Sequence, residues 1–526
     1  MNDFIRKVFS FSDENNNCNT INEESTESKK ENKILTVISK SIEENRKNVE
    51  IYFSNCFDVV LREITAFNPQ KKVLIVYLDG LSEKNIIEDL LISKLTSECG
   101  VKNESFTEEA IKFNLGLKDT EIKNDMEKSF EAIISGNPVV FIDGIDKSFE
   151  INISSPPGRD VNEPSSEVVL RGPREGFTES LTQNVSLLRK KIKNSNLKTE
   201  KFVIGKKTNT NVAIIYLSDM ANEKIVNEVR RRVKDIDIES VLDSNYVEEY
   251  ISDSPLSIVP IVFRTEKPDI AASKILEGKV VLIVDGSPVA LSVPAIFIEF
   301  LHSGEDHYLK YTSALLNRIV RFSALIITLT LPSIYVALTN FHQELIPTKL
   351  AISIINAREG VPFPVFWECI FMLSTFEIIR EAGVRMPKAM GTSISIVGGL
   401  VLGDAAVKAG LVGTPMVGIV SLTAITKFTI SSIELELPIV YIRFIFMVLS
   451  GSLGLAGLTC GFLLVSMRLV SIRSFGVPYM YPICPFNMKL EEDVIFRAPI
   501  YKLNVNQKLL NIKMNLKRGS VHKGSK

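Results

Sequence analysis

Glu368 and Glu377 stand in the apolar stretch that opens PFPVFWECIFMLSTFEII at Pro362, and Asp404 with Lys408 splits the two apolar runs of Gly391 to Phe428. A charge in a lipid setting is costly, so each of these groups has to face protein or water. Thr392, Ser393 and Ser395 add hydroxyls to the segment leading into Asp404, which suits either a water-lined path or polar packing between helices or subunits. Of the two glutamates, Glu368 is the one placed to handle a proton or ion, while Glu377 falls near a boundary and reads as an anchor. Gly399 with Gly403, and Gly457 with Gly461, are GxxxG pairs that permit close helix approach.

A second charged group lies far upstream in RGPREGFTESLTQN, Arg171 to Asn184. Pro173 suits the first turn of a helix, and Phe177, Leu181, Val185, Leu188 and Ile192 recur as one apolar face, so a helix is expected to start at Pro173. Helix initiation does not require Arg171, Arg174 and Glu175. They form either a salt bridge within their own subdomain or a contact to another subdomain or subunit, and the latter is the expectation taken here. No glycine-rich phosphate loop accompanies them.

The elements that must position these residues follow from composition. The chain has 526 residues and a formal charge of -1, which gives no electrostatic case for nucleic acid. Its first 320 residues are rich in Lys, Glu, Asp and Asn, whereas Phe322 to Val470 is largely apolar, the pattern of a soluble part followed by a membrane part. Within the soluble part, KVLIVYLDGLSEKNIIEDLL from Lys72 matches NVAIIYLSDMANEKIVNEVR from Asn211, and ISGNPVVFIDGID from Ile134 matches LEGKVVLIVDGSP from Leu276. Two related α/β subdomains are expected, each with a strand feeding a helix and a later hairpin at Asp143-Gly144 or Asp285-Gly286.

The resulting division is a polar tail over 1–34, subdomains over 35–150 and 168–305 around a Pro/Ser/Gly-rich linker over 151–167, and a basic connecting helix over 306–321. An α-helical membrane domain of four to six spans then covers 322–470, and a cytoplasmic tail covers 471–526. Phe322 to Phe341 carries no charge and is the clearest span, with Pro332 as an expected kink. Lys310, Arg318 and Arg321 before it, and Arg380, Arg385 and Lys388 after the next, place the soluble part in the cytoplasm by the positive-inside bias. Leu437 to Val470 is long for one crossing and reads as one tilted helix or two shorter ones. The cysteines form no CxxC pair, the four histidines have no metal spacing, and no nucleophile sits with a base, so neither a metal, a cofactor nor an enzyme activity is expected.

Four stretches taken together carry a resemblance: SSEVVLRGPREGFTESLTQN, FHQELIPTKLAISIINAREGVPFP, FEIIREAGVRMPKAMGTSISIVGGLVLGDAAVKAGLV and RSFGVPYMYPICPFN. They resemble the A subunits of GerA-type spore germinant receptors of endospore-forming bacteria, over roughly Leu35 to Asn487. The resemblance implies a cytosolic region of two α/β subdomains and a multi-helix domain in the spore inner membrane. It further implies a transporter-like B subunit that binds the nutrient, a lipoprotein C subunit, and assembly of A subunits, as pentamers, into a nutrient-gated cation channel. The SpoVAF-like paralogues share the same motifs, and a non-conducting scaffold for germination components is the alternative mechanism.

Overall fold

The unbroken aliphatic run Val73–Leu78 is buried throughout, as a strand covered on both faces must be. In the computed structural model, which describes residues 37–66, 71–82, 87, 120–152, 164, 167, 171–385 and 403–484, this run lies in β2 (Lys71–Leu78). The first subdomain comprises α1 (Ile42–Tyr52), β1 (Val59–Ala66), β2, β3 (Thr120–Lys123), α2 (Met126–Ile134), β4 (Val139–Ile142) and β5 (Ser148–Ile151). Its five strands pair antiparallel in the order β1-β2-β4-β5-β3. One face is covered by Ile42, Val49, Met126, Phe130 and Ile133 of the two helices.

The second subdomain repeats the plan with α3 (Leu181–Lys191), β6 (Leu197–Ile204), β7 (Thr210–Leu217), α4 (Glu223–Lys234), α5 (Ser244–Ile251), β8 (Phe263–Thr265), α6 (Pro268–Leu276), β9 (Val280–Val284) and β10 (Ala290–Val293). Its sheet order, β6-β7-β9-β10-β8, is the same order in equivalent strands. Both anticipated hairpins are present, turning through Gly144 at φ 86° and Gly286 at φ 87°, a region glycine enters without a Cβ clash. The strand-to-helix reading holds for β7 and α4, whose Ile225, Val229 and Val233 are buried. The equivalent helix of the first copy falls outside the described residues.

A helix-entry device is duplicated as well. Leu181 N–H donates to Asp285 Oδ1 (3.1 Å) and Asn184 Nδ2 to the Thr178 carbonyl (2.5 Å). In the first copy Ile42 N–H donates to Asp143 Oδ1 (3.4 Å) and Asn45 Nδ2 to the Ser39 carbonyl (2.6 Å). This corrects the expected helix start: α3 begins at Leu181, not at Pro173. The hairpin aspartate supplies the acceptor for the first free amide at Leu181 and so fixes the helix entry there. Phe177 still joins the buried face with Leu181, Val185, Leu188 and Ile192, but from the extended chain before the helix, its amide donating to Glu266 O (2.7 Å).

Beyond the second subdomain come α7 (Tyr311–Asn340), α8 (Thr348–Ala357), α9 (Val365–Arg385), α10 (Gly403–Lys408), α11 (Thr414–Phe428) and α12 (Glu436–Ser471). Two helical stretches among the described residues are long and apolar enough to cross a membrane, Tyr311–Asn340 and Ile433–Ser471. The second does not run straight. Gly454 (φ 64°, ψ −142°) breaks it, and the Phe446 and Phe462 rings lie 6.2 Å apart, where a straight helix would set them roughly 24 Å apart. Of the two sequence alternatives, α12 is therefore two short helices, folded back as a hairpin. Leu435 and Ile472 meet again in one cluster at its base, while Gly454 reaches Phe341 and His342 at the far end of α7.

After the hairpin the chain returns to the second subdomain. A short ribbon of β11 (Arg473–Ser474) and β12 (Val477–Pro478) places Phe475 and Val477 in the core that α4 and α5 build on β7 and β9. The Ser474 hydroxyl donates to Ile261 O (2.7 Å) and accepts from Ala295 N–H (3.1 Å). Arg473–Cys484 thus belongs to the second subdomain instead of opening a tail. The apolar Phe and Val of RSFGVPY complete a core that β7 and its helices leave open.

Candidate functional site

Three helices are held by one carboxylate. Glu377 of α9 accepts from Lys427 Nζ of α11 at 3.0 Å on each oxygen and from Arg443 Nη2 of the rising limb of α12 at 2.8 Å. Arg380 adds a 2.9 Å bond to Glu377 and reaches Glu436. Lys427 and Arg443 are buried although each lies in an apolar helix. Burial of such cations is tolerable only because they share the carboxylate. Glu377 thus joins helix ends, with Lys427 one residue before the end of α11 and Glu436 opening α12.

Nearer the far end, Glu368 is buried at the start of α9 and accepts the Gly413 amide (2.6 Å), with Arg358 Nε 3.4 Å from its other oxygen. Beside it a cleft of about 550 Å³ is lined by Phe363, Trp367, Phe371 and Leu411. Buried polar atoms without a hydrogen-bond partner recur through the layer, at Arg443 Nε and Nη1, Ser333 Oγ and Tyr335 Oη, while Glu368 Oε2 and Arg358 Nε have each other as an ion pair at 3.4 Å. Arg443 stands about two turns above the base of α12, and Ser333 and Tyr335 lie in the upper third of α7. Tyr335 is within electrostatic reach of both Glu368 and Arg358. Unmet buried donors and acceptors of this kind are rare in native proteins and call for water.

The base of the layer is fixed to the second subdomain by charges. Buried Asp306 takes Arg321 Nη1 (2.8 Å) and Nη2 (2.6 Å) together with Arg318 Nε (3.3 Å). The basic flank of α7 is thus also a clamp. Burial by itself would raise the Glu299 carboxyl, but Lys274 and Lys279 outweigh it and bring it down to about 2. On the returning strand, the Phe475 amide donates to Asp253 Oδ2 (2.5 Å) and the Arg232 guanidinium lies 4.3 Å above the Phe475 ring.

The residues singled out from sequence separate into different places. Glu175 binds Lys190 (3.1 Å) and Lys191 (2.9 Å) of α3, within its own subdomain. Arg171 offers its amide to Glu305 Oε1 (3.4 Å), and Arg174 is exposed on the same stretch. Asp404 and Lys408 pair with each other at 2.6 Å on the exposed side of α10. Gly457 and Gly461 face the rising limb of α12, against Leu449 and Phe446, and Gly403 lies against Val417. Thr392, Ser393, Ser395 and Gly399 lie outside the described residues.

The contact between subdomains that the structure does show is one the motif search passed over. Arg189 of α3 donates to Asp58 through Nε (2.7 Å) and Nη2 (3.0 Å), and the Thr199 hydroxyl adds a 2.6 Å bond. Both charged side chains are nearly sealed from solvent, at 1% and 3% exposure. Two backbone bonds flank the pair, Phe57 N–H to Thr199 O and Thr199 N–H to Asn55 O, each 3.1 Å. A sequence signal existed: Arg189 directly follows Leu188 on the buried side of an amphipathic helix.

The sequence profile of the Bacillus/Clostridium GerA spore germination protein family matches residues 47–509. Spore germination protein KA of Bacillus subtilis (strain 168) is 40% identical over 463 residues, which cover 88% of this chain and 84% of that protein. The uncharacterized membrane protein YfkQ of the same organism is 38% identical over 462 residues, 88% of this chain and 90% of that one. A crystal structure of the N-terminal domain of the A subunit of the Bacillus megaterium spore germinant receptor GerK3 aligns with a TM-score of 0.40 and 28% identity, covering 50% of this chain and 98% of that one.

Proposed function

The chain belongs to the GerA spore germination protein family, and from that premise we propose that it is the A subunit of a nutrient-sensing germinant receptor that conducts cations when its partners bind nutrient. The partners in this reading are a transporter-like, nutrient-binding B subunit and a lipoprotein C subunit, in the spore inner membrane. The chain is not an enzyme. Its family is one of spore germination proteins.

The observation that supports conduction is the group of buried polar atoms without partners on Arg443, Ser333 and Tyr335, together with the buried Glu368–Arg358 ion pair. In an apolar helix layer such groups call for water, and a hydrated path through them would be a route for small ions. The helices support the setting. α7 rises from the second subdomain, α9 and α11 descend, and the two limbs of α12 rise and return. Leu435 at the base of α12 and Ile472 at its end pack in the cluster that takes the first turns of α7 beyond Arg321, which supports a layer entered and left on the side of the second subdomain. Arg171, Arg174 and Asp404 remain candidates for contacts between copies of the chain.

Reconstitution of the complete receptor in liposomes tests the reading. Nutrient should release entrapped potassium, and Glu368→Gln or Arg443→Met should reduce that release at unchanged nutrient binding. A nutrient-responsive complex that releases nothing would leave the scaffold reading in its place. Normal release from both variants would remove this route.

A further inference from the structure

The loop between α5 and β8 turns its apolar side chains two ways. Val259 and Ile261 are buried among Phe300, Leu435, Ile439 and Ile472, the cluster on which Phe322, Leu325 and Leu329 of α7 pack. Leu256 and Ile258 are 96% and 54% exposed. An isolated exposed leucine needs no explanation, but the position of this one does. Three residues of extended chain reach at most about 11 Å. Leu256 therefore lies within about 11 Å of Val259, and so of the cluster on which the first turns of α7 beyond Arg321 pack, where the uncharged surface of that helix begins.

The loop is also built to lose water. Its one ionisable side chain, Asp253, is turned inward onto Arg232 and the Phe475 amide. The Ser257 amide donates to Ser254 O (2.9 Å), and the Ser257 hydroxyl donates to Val259 O (2.9 Å). Pro255 and Pro260 contribute no amide hydrogens to be left unmet. With these groups met or absent, fewer backbone polar groups of the loop need water in a poorly hydrated surround. Arg473, exposed directly after Ile472 of the same cluster, supplies a cation at that level for an anionic headgroup.

We propose that residues 252–260 form a lipid-contacting wedge, with Leu256 and Ile258 inserted at the boundary between headgroups and acyl chains of the leaflet that α7 enters. The inference rests on the reading of α7 and α12 as membrane helices. Its consequence is a third attachment of the second subdomain to the bilayer plane, beside α7 and the returning strand after α12.

The test uses the full chain in vesicles of phosphatidylglycerol and phosphatidylethanolamine whose acyl chains carry bromine at shallow positions. Trp367, the single tryptophan, is 60% exposed on α9 and reports whether the helices are in lipid. In a Trp367→Phe background, Leu256→Trp and, separately, Ile258→Trp place an indole in the loop. The wedge predicts quenching of both indoles by the brominated lipid, at least several-fold stronger than by aqueous iodide. Quenching by iodide alone shows a solvated loop, and protection from both quenchers shows cover by a neighbouring copy; either result overturns the wedge. If Trp367 of the unsubstituted chain also escapes the brominated lipid, the membrane reading falls with it.

Discussion

Removal of Asp58 should open the joint between the two subdomains. Asp58→Ala deletes the 2.7 and 3.0 Å bonds from Arg189 and the 2.6 Å bond from Thr199, and leaves a guanidinium that is 1% exposed with no counter-charge. Breaking a buried pair from one side costs about 3–5 kcal/mol, most of it the stranded charge. At about 1.4 kcal/mol per tenfold, the open joint becomes roughly a hundredfold to a few thousandfold more populated. The amides of Phe57 and Thr199, whose bonds cross the joint at 3.1 Å, report this directly. Their hydrogen exchange, measured on the full chain in detergent micelles, should accelerate by that factor while core amides of β2 and β7 do not change. Thr199→Val should have a smaller effect, near one neutral hydrogen bond of about 1 kcal/mol. Asp58→Leu combined with Arg189→Met should recover most of the protection, because an apolar pair of similar volume leaves no charge behind. Acceleration below tenfold in Asp58→Ala, or a double variant no slower than the single, would refute the claim that this pair holds the joint.

Two further tests concern the hairpin and the linker. A Cβ added at Gly457 would lie 1.9 Å from the Leu449 carbonyl oxygen, so Gly457→Ala should push the limbs of α12 apart and cost about 1–3 kcal/mol, read as a lower melting temperature in detergent. Gly418→Ala, with open space around it inside α11, should hold or raise that temperature, since alanine is the better helix former. Burial raises the Glu167 carboxyl to about 7 in spite of the hydrogen bond from Thr265. A folded-state value raised from 4.5 means that the stability tied to this protonated group is full below pH 4.5 and is lost as pH rises through about 7. Stability should therefore fall by at most about 3 kcal/mol across that window, and Glu167→Gln should flatten the slope when unfolding is followed from pH 5 to 8.

The duplication was legible because it rests on local signals: β-branched runs, Asp-Gly turns and four-residue apolar spacing survive in both copies. The helix start was not, because Asp285 supplies the acceptor for Leu181 from 104 positions away, and only the folded chain brings the two together. A still greater separation hid the role of RSFGVPY, whose Phe475 and Val477 complete a core built from β7, β9 and α4. Glu368 stood out as a carboxylate in an apolar run, and the structure buries it. Lys427 and Arg443 carried the same signal, but which carboxylate they share depends on the packing of three helices. Glu175 shows the opposite limit: a conspicuous motif residue whose partners, Lys190 and Lys191, are two surface lysines nearby.

The return of the chain to the second subdomain makes the whole helical layer an insertion within an α/β fold. β10 ends at Val293, yet Phe475 and Val477, which fill the same core, are made only after every helix of that layer. At 5–20 residues per second of synthesis, the slot for Phe475 waits roughly 10–40 s for its occupant. A newborn second subdomain therefore holds an incomplete apolar core until the whole helical layer has been made, and its last packing step doubles as a check that the hairpin of α12 has come back to the subdomain from which the layer began.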